Sequence, residues 1–165
     1  MVGDSDPWKL WLDEHGAALV LLARQWVASH NDAEDVVQEA FVRFWRSRHR
    51  VAEPVAYLYA CVKHCGLDWQ RAGKRRSKRE EASARPEAER LFAGPIEQDE
   101  RRIAVEAALL NLPEKQREVL VLRIWGGLTF SQIAEALAIS IDTAASRYRY
   151  ALARLHEELA EETIP

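Results

Sequence analysis

Residues 112–155, LPEKQREVLVLRIWGGLTFSQIAEALAISIDTAASRYRYALARL, constrain the fold more than any other stretch. Pro113 suits a first helical position, where a missing N–H costs nothing. Val119, Leu120, Leu122 and Ile124 then form an apolar run that Gly126 and Gly127 end. Thr129 and Gln132 make the T-x-x-Q pair of a capping box and open a short helix with Ile133, Ala134 and Leu137 as its buried stripe. A turn is expected at Ala138-Ile139. Ser140 suits the N-cap of a longer last helix, with Asp142 in its first turn opposing the dipole. On that helix Ala144, Tyr148, Leu152 and Leu155 are expected to face inward, which puts Ser146, Arg147 and Arg149 largely on the other faces. Helix, break, short helix, turn and arginine-bearing helix read as a helix-turn-helix shaped for a major groove. The plain alternative is a helical hairpin with a solvated basic face. Agreement among caps, breaks and periodicity favours the first reading.

A chain of 165 residues can bury one core or two small ones. It shows no signal-peptide pattern and no apolar run long enough for a membrane span, so a soluble, cytoplasmic protein with no membrane partner is expected. Two cysteines fit a reducing compartment. The net charge of −3 hides an uneven distribution. Residues 49–79 hold eight basic and two acidic side chains, and residues 119–156 hold four and two. Phosphate contact depends on local lysine and arginine, so both segments remain candidates. The acidic remainder predicts weak intrinsic DNA affinity.

Helical signals run throughout, and nothing alternates like a strand. Trp8 to about Ala28 carries Trp11, Ala18, Leu22 and Trp26 at helical spacing. Asn31 is expected to cap a helix through Arg46 whose stripe is Val36, Val37, Ala40, Phe41, Phe44 and Trp45. Pro54 opens a third helical stretch, expected to break near Gly66 and resume at Trp69. Ala72 to Glu100 has two prolines, two glycines and many charges, a composition that cannot bury enough surface to fold alone. Ile103 to Leu112 resumes helix. The expected architecture is all-α: two small helical domains, 1–75 and 101–160, joined by a flexible charged linker at 76–100, the second domain being the helix-turn-helix.

Three constellations carry chemistry. Asp32, Glu34 and Asp35, followed by Gln38 and Glu39, read as an acidic first turn, a metal site, or a docking surface for a basic helix of another protein. Tyr57, Tyr59 and Trp69 interleave with Lys63, His64, Arg71 and the run from Lys74 to Arg79. That pattern suits single-stranded nucleic acid, with rings stacking on bases and cations tracking phosphates, or else core aromatics beside a solvated basic tail. Cys61, His64 and Cys65 share a helix face at i, i+3 and i+4, so a zinc or thiol sensor is a further reading, though no fourth ligand is near. No phosphate loop, nucleophile elbow or catalytic dyad is present. No catalytic residue, cofactor or metal is expected.

Two blocks, DAEDVVQEAFVRFWR at 32–46 and the 112–155 stretch, in this order and at this separation, resemble the extracytoplasmic-function (ECF) subgroup of bacterial sigma-70 family factors. The resemblance covers nearly the whole chain. It implies no enzymatic activity, but promoter-specific initiation with core RNA polymerase through −10 and −35 contacts. The first block looks like the segment that docks on the β′ clamp helices, implying roles for Asp32, Asp35, Gln38, Glu39, Phe41 and Trp45; the β flap is a further polymerase contact. PVAYLYACVKHCGLDWQRAGKRR resembles the melting and −10 segment, implying Tyr57, Tyr59, Lys63, His64, Asp68, Trp69, Arg71, Arg75 and Arg76 on single-stranded promoter DNA, with Tyr59 to His64 lining or adjoining a loop pocket for a flipped base. The last helix would read the −35 duplex through Thr143, Ser146, Arg147, Arg149 and Tyr150. An anti-sigma protein is a partner the family implies.

Departures from the family pattern fall at His64, where asparagine is usual, and at Cys61, Val62, Ala138, Ala145 and Tyr150. A left-handed turn at Ala138 would cost about 1 kcal/mol relative to glycine. Together these point to an unusual −35 sequence or to reliance on −10 contacts. The rival readings are a stand-alone helix-turn-helix regulator, which predicts tight operator binding without polymerase, and the thiol or zinc sensor.

Overall fold

Seven α-helices account for the regular structure of the described residues, 7–77 and 100–162, in the computed structural model. They are α1 (Pro7–Ala23), α2 (His30–Ser47), α3 (Pro54–Ser77), α4 (Glu100–Asn111), α5 (Glu114–Ile124), α6 (Phe130–Leu137) and α7 (Ile141–Glu162), with a 3₁₀ turn at Arg48–Arg50. Residues 78–99, most of the expected linker, lie outside the described residues. No described helix is long and apolar enough to cross a membrane.

The first group packs α1, α2 and α3 around Leu19, Leu22, Val36, Phe44, Leu58 and Val62, all fully buried. α1 is shorter than its apolar spacing predicts. After Ala23 the chain tightens, Gln25 and Trp26 donating to Leu22 and Ala23 carbonyls three residues back, and this turns the Trp26 ring into the core. The N-cap of α2 is Ser29, not Asn31: its Oγ accepts from the Asp32 N–H at 2.9 Å. α3 runs unbroken through Gly66, which serves approach rather than interruption. A Cβ there would lie 2.6 Å from Trp26 Cε3, so only glycine lets the helix seat on that ring.

The second group packs α4, α5, α6 and α7. Pro113 sits one place earlier than expected, at the N-cap of α5. Gly127 takes φ +66°, and Gly126 leaves no room for a side chain beside the Leu122 carbonyl. The Thr129–Gln132 capping box forms in both directions. Ala138 holds the left-handed turn at φ 55°, ψ 46°, and Ser140 caps α7 by accepting from the Thr143 N–H at 3.0 Å. On α7 the inward residue after Ala144 and Tyr148 is Ala151, fully buried, whereas Leu152 is 37 % exposed. Seven residues advance about 700°, nearly two turns, whereas eight overshoot the stripe by about 80°.

The two groups share one core. α3 packs on α6 and α1 on α5, and Val119, Leu122, Leu128 and Ile133 join the cluster built on Leu22 and Phe44. Polar contacts also cross the junction: Arg117 Nε donates to Gln25 Oε1 (2.8 Å), Trp26 Nε1 to Glu114 Oε1 (2.9 Å) and Lys63 Nζ to Glu118 Oε2 (3.3 Å).

Candidate nucleic-acid interface

α7 presents an open face. Arg149 and Tyr150 are exposed, the latter at 62 %, and Thr143, Ser146 and Arg147 are half-buried beside them. Arg149 Nη2 donates to Ser146 Oγ at 3.3 Å, which joins two of the expected contacts into one polar surface. The base of the face is rigid: Phe130 and Tyr148 pack edge to face at 5.5 Å. Arg123 lies 4.7 Å over the Phe130 ring and donates to the Leu128 carbonyl, pinning α6 to α5. A capped recognition helix with an unobstructed polar flank can enter a groove without rearranging its own packing.

α3 distributes its candidates differently. His64, Asp68 and Arg71 are exposed and Tyr57 and Trp69 half-buried. Arg75 and Arg76 continue the helix, and their side chains lie outside the described residues. Tyr59 is 1 % exposed; its hydroxyl is hydrogen-bonded to His15 Nδ1 at 2.9 Å, and burial pushes the phenol far up from its ordinary range. The same burial pulls the His15 pKa down, so the imidazole is held neutral. Tyr59 thus offers no ring face for a base in this arrangement, and residues 59–64 form helix rather than the expected loop pocket. Lys63 is engaged by Glu118.

The docking candidates and some melting candidates meet in one cleft. Asp32 and Glu39 of α2 face Asp68 and Trp69 of α3 across about 650 Å³, with Trp26 and Arg43 also lining it. Glu39 is fully committed: Oε1 accepts from Arg43 Nη2 and Oε2 from Trp69 Nε1, each at 3.0 Å. Asp35 and Gln38 are exposed on the outer flank of α2. Phe41 and Trp45 stack at 5.9 Å, and the Arg48 guanidinium covers Trp45 at 3.6 Å. The sequence reading missed Val42, 51 % exposed on the same flank, although its spacing of four from Gln38 is a usable signal. It also missed His15 and Glu118, which no local pattern marks because their partners lie 44 and 55 residues away.

Cys61 and Cys65 are buried while His64 points outward, so the three do not converge. Burial pushes both thiols up, Cys65 to about 11, which suppresses the reactive thiolate. Among the described residues no group of three or more histidine, cysteine or carboxylate side chains could hold a metal ion. The sensor reading loses its geometric basis.

The described residues define an all-α fold of two helical groups, the second a helix-turn-helix, the class of fold that enters a DNA groove. Residues 11–76 match the family model for sigma-70 region 2, and residues 102–155 that for sigma-70 region 4. An RNA polymerase sigma-E factor of Streptomyces avermitilis is 34% identical over 145 residues, covering 86% of this chain and 79% of that one. The ECF RNA polymerase sigma factor SigK of Mycobacterium ulcerans is 27% identical over 158 residues, 91% of this chain and 84% of its own. The sigma factor RpoE of Bartonella quintana, solved in complex with the anti-sigma factor NepR, superposes with a TM-score of 0.72 at 23% identity over 93% of this chain and 96% of that one. The chain belongs to the ECF group of the sigma-70 family of RNA polymerase sigma factors. It is a sigma factor that directs promoter-specific transcription, and the stand-alone regulator reading is not favoured.

Proposed function

We propose a division of labour between two units, residues 1–75 and 101–160, joined through 76–100. The α2 helix, with Asp32, Asp35, Gln38, Glu39, Phe41 and Trp45, docks on the clamp helices of core RNA polymerase, and the second unit engages the flap. Along α3, Tyr57, Lys63, His64, Asp68, Trp69 and Arg71, followed by Arg75 and Arg76, hold the unpaired −10 strand. On α7, Thr143, Ser146, Arg147, Arg149 and Tyr150 read the −35 duplex. Binding energy for the separated strand offsets the cost of opening base pairs, so the chain itself performs no catalysis and acts as a cytoplasmic regulator. An anti-sigma protein is a further partner in this reading, supported by the similarity to a factor solved with one.

The observation that carries the reading is the Ser146–Arg149–Tyr150 flank, exposed at Arg149 and Tyr150, on a helix-turn-helix whose two helices are N-capped by Thr129 and Ser140, in one chain with the acidic face of α2. Reconstitution with bacterial core polymerase on a genomic promoter library tests it. Expected is binding to core and initiation from a defined subset of fragments; absence of both overturns it.

A further inference from the structure

Glu118 is an acidic side chain buried at the junction between the two helical groups. Its side chain is 3 % exposed. Lys63, a candidate −10 contact on α3, donates to it at 3.3 Å across the junction between the two helical groups. Arg147, a candidate −35 contact on α7, lies within electrostatic reach and favours its charged form. Burial is the larger effect and pushes the carboxyl upward, so the two cations only partly offset the loss of water. Around this point α5 is clamped onto the end of α1 by the Arg117–Gln25 and Trp26–Glu114 contacts. The Tyr59 hydroxyl lies so close to Gly126 that a Cβ there would stand 3.0 Å from it.

A carboxylate and a backbone phosphate present the same feature to an ammonium: an oxyanion accepting charge-assisted hydrogen bonds. They compete for Lys63. We propose that Glu118 is an internal stand-in for a DNA phosphate, which occupies Lys63, so that the free chain withholds this α3 cation from DNA until its two helical groups part. The inference rests on the assignment of Lys63 to DNA contact. It predicts weak binding by the free chain without any inhibitor.

Glu118→Gln keeps the shape and removes the charge. The free variant is expected to bind a mixed-sequence single strand about threefold to tenfold more tightly at low salt, and its log–log salt slope to steepen by about 0.7 for the released contact. Adding Lys63→Gln to Glu118→Gln abolishes the gain on single strand. A cooperatively folded Glu118→Gln chain with unchanged affinity and slope overturns the proposal. Should that variant not fold, Gln25→Cys and Arg117→Cys bridged by a thiol-cleavable bis-maleimide decide it, the buried Cys61 and Cys65 being out of the reagent's reach. The bridged chain is expected to lose initiation with core polymerase and regain it on cleavage; equal initiation before and after cleavage overturns the proposal. Failure of the unmodified chain to initiate at all overturns the underlying reading instead.

Discussion

α3 and α7 both carry aromatic and basic residues, yet the fold uses them in opposite ways. α7 buries only a narrow stripe, Ala144 and Ala151 with the flanks of Tyr148 and Leu155, and leaves Arg149 and Tyr150 outside. α3 is covered by α1 and α2 on one side and by α6 on another, so its residues are divided among core, junction and surface. Tyr59 belongs to the core, Lys63 to the junction, and His64, Asp68 and Arg71 to the surface. Each helix packs on three others, so how much of its surface they cover, rather than its composition, decides which of its rings and cations can meet a ligand.

The contrast breaks most readily at its two tyrosines. Tyr59→Ala is expected to cost about 3–5 kcal/mol of stability, as deletion of a buried ring does. Tyr150→Ala should stay within about 0.5 kcal/mol of wild type in stability while weakening −35 duplex binding in holoenzyme. Chemical denaturation beside promoter affinity measures both, and equal destabilisation would erase the distinction. Next in size, Lys63→Ala leaves Glu118 buried without its donor and is expected to destabilise the chain by about 1–3 kcal/mol. Arg149→Ala should instead cost about 1–3 kcal/mol in duplex affinity, with the melting temperature unmoved. Ala138→Gly relieves a left-handed alanine and is expected to stabilise by about 1 kcal/mol without altering DNA binding, read as a higher denaturation midpoint.

The smallest effect is in pH. Burial raises the Glu118 pKa above its unfolded value near 4.5, so the folded chain binds that proton more tightly. Its contribution therefore grows as pH falls from neutral towards 4.5 and shrinks as pH rises. His15 works the other way: its folded pKa lies below the unfolded 6.5, so stability is lost as pH drops beneath that value. Because Glu118→Gln retains His15, wild type minus Glu118→Gln stability isolates the carboxyl. A difference that stays flat between pH 7 and 4.5 contradicts the buried position of Glu118.

Much of the second helical group was legible beforehand because its signals are local. The Thr129–Gln132 box, the Ser140 cap and the turn at Ala138 each depend on residues within four positions of one another, and each formed. The errors have a common origin in packing. Asn31 is as good a cap as Ser29 by type, and register decided between them. Leu152 outranks Ala151 in hydrophobicity, but Ala151 is in phase with Ala144 and takes the place facing the core. Gly66 reads as a break in isolation and is a seat for Trp26 in the fold.

From the order of residues alone came the helical class, the caps of the helix-turn-helix, the arginine-bearing flank of α7 and the acidic flank of α2, since each follows from periodicity or from contacts one turn apart. Tertiary structure decided that Tyr59 is core, that Asp32 and Glu39 share a cleft with Asp68 and Trp69, and that Lys63 meets Glu118. Those outcomes join residues 29 to 55 positions apart, and which such pairs meet depends on how whole helices dock, a choice made by the summed burial of many side chains rather than by any short stretch of chain.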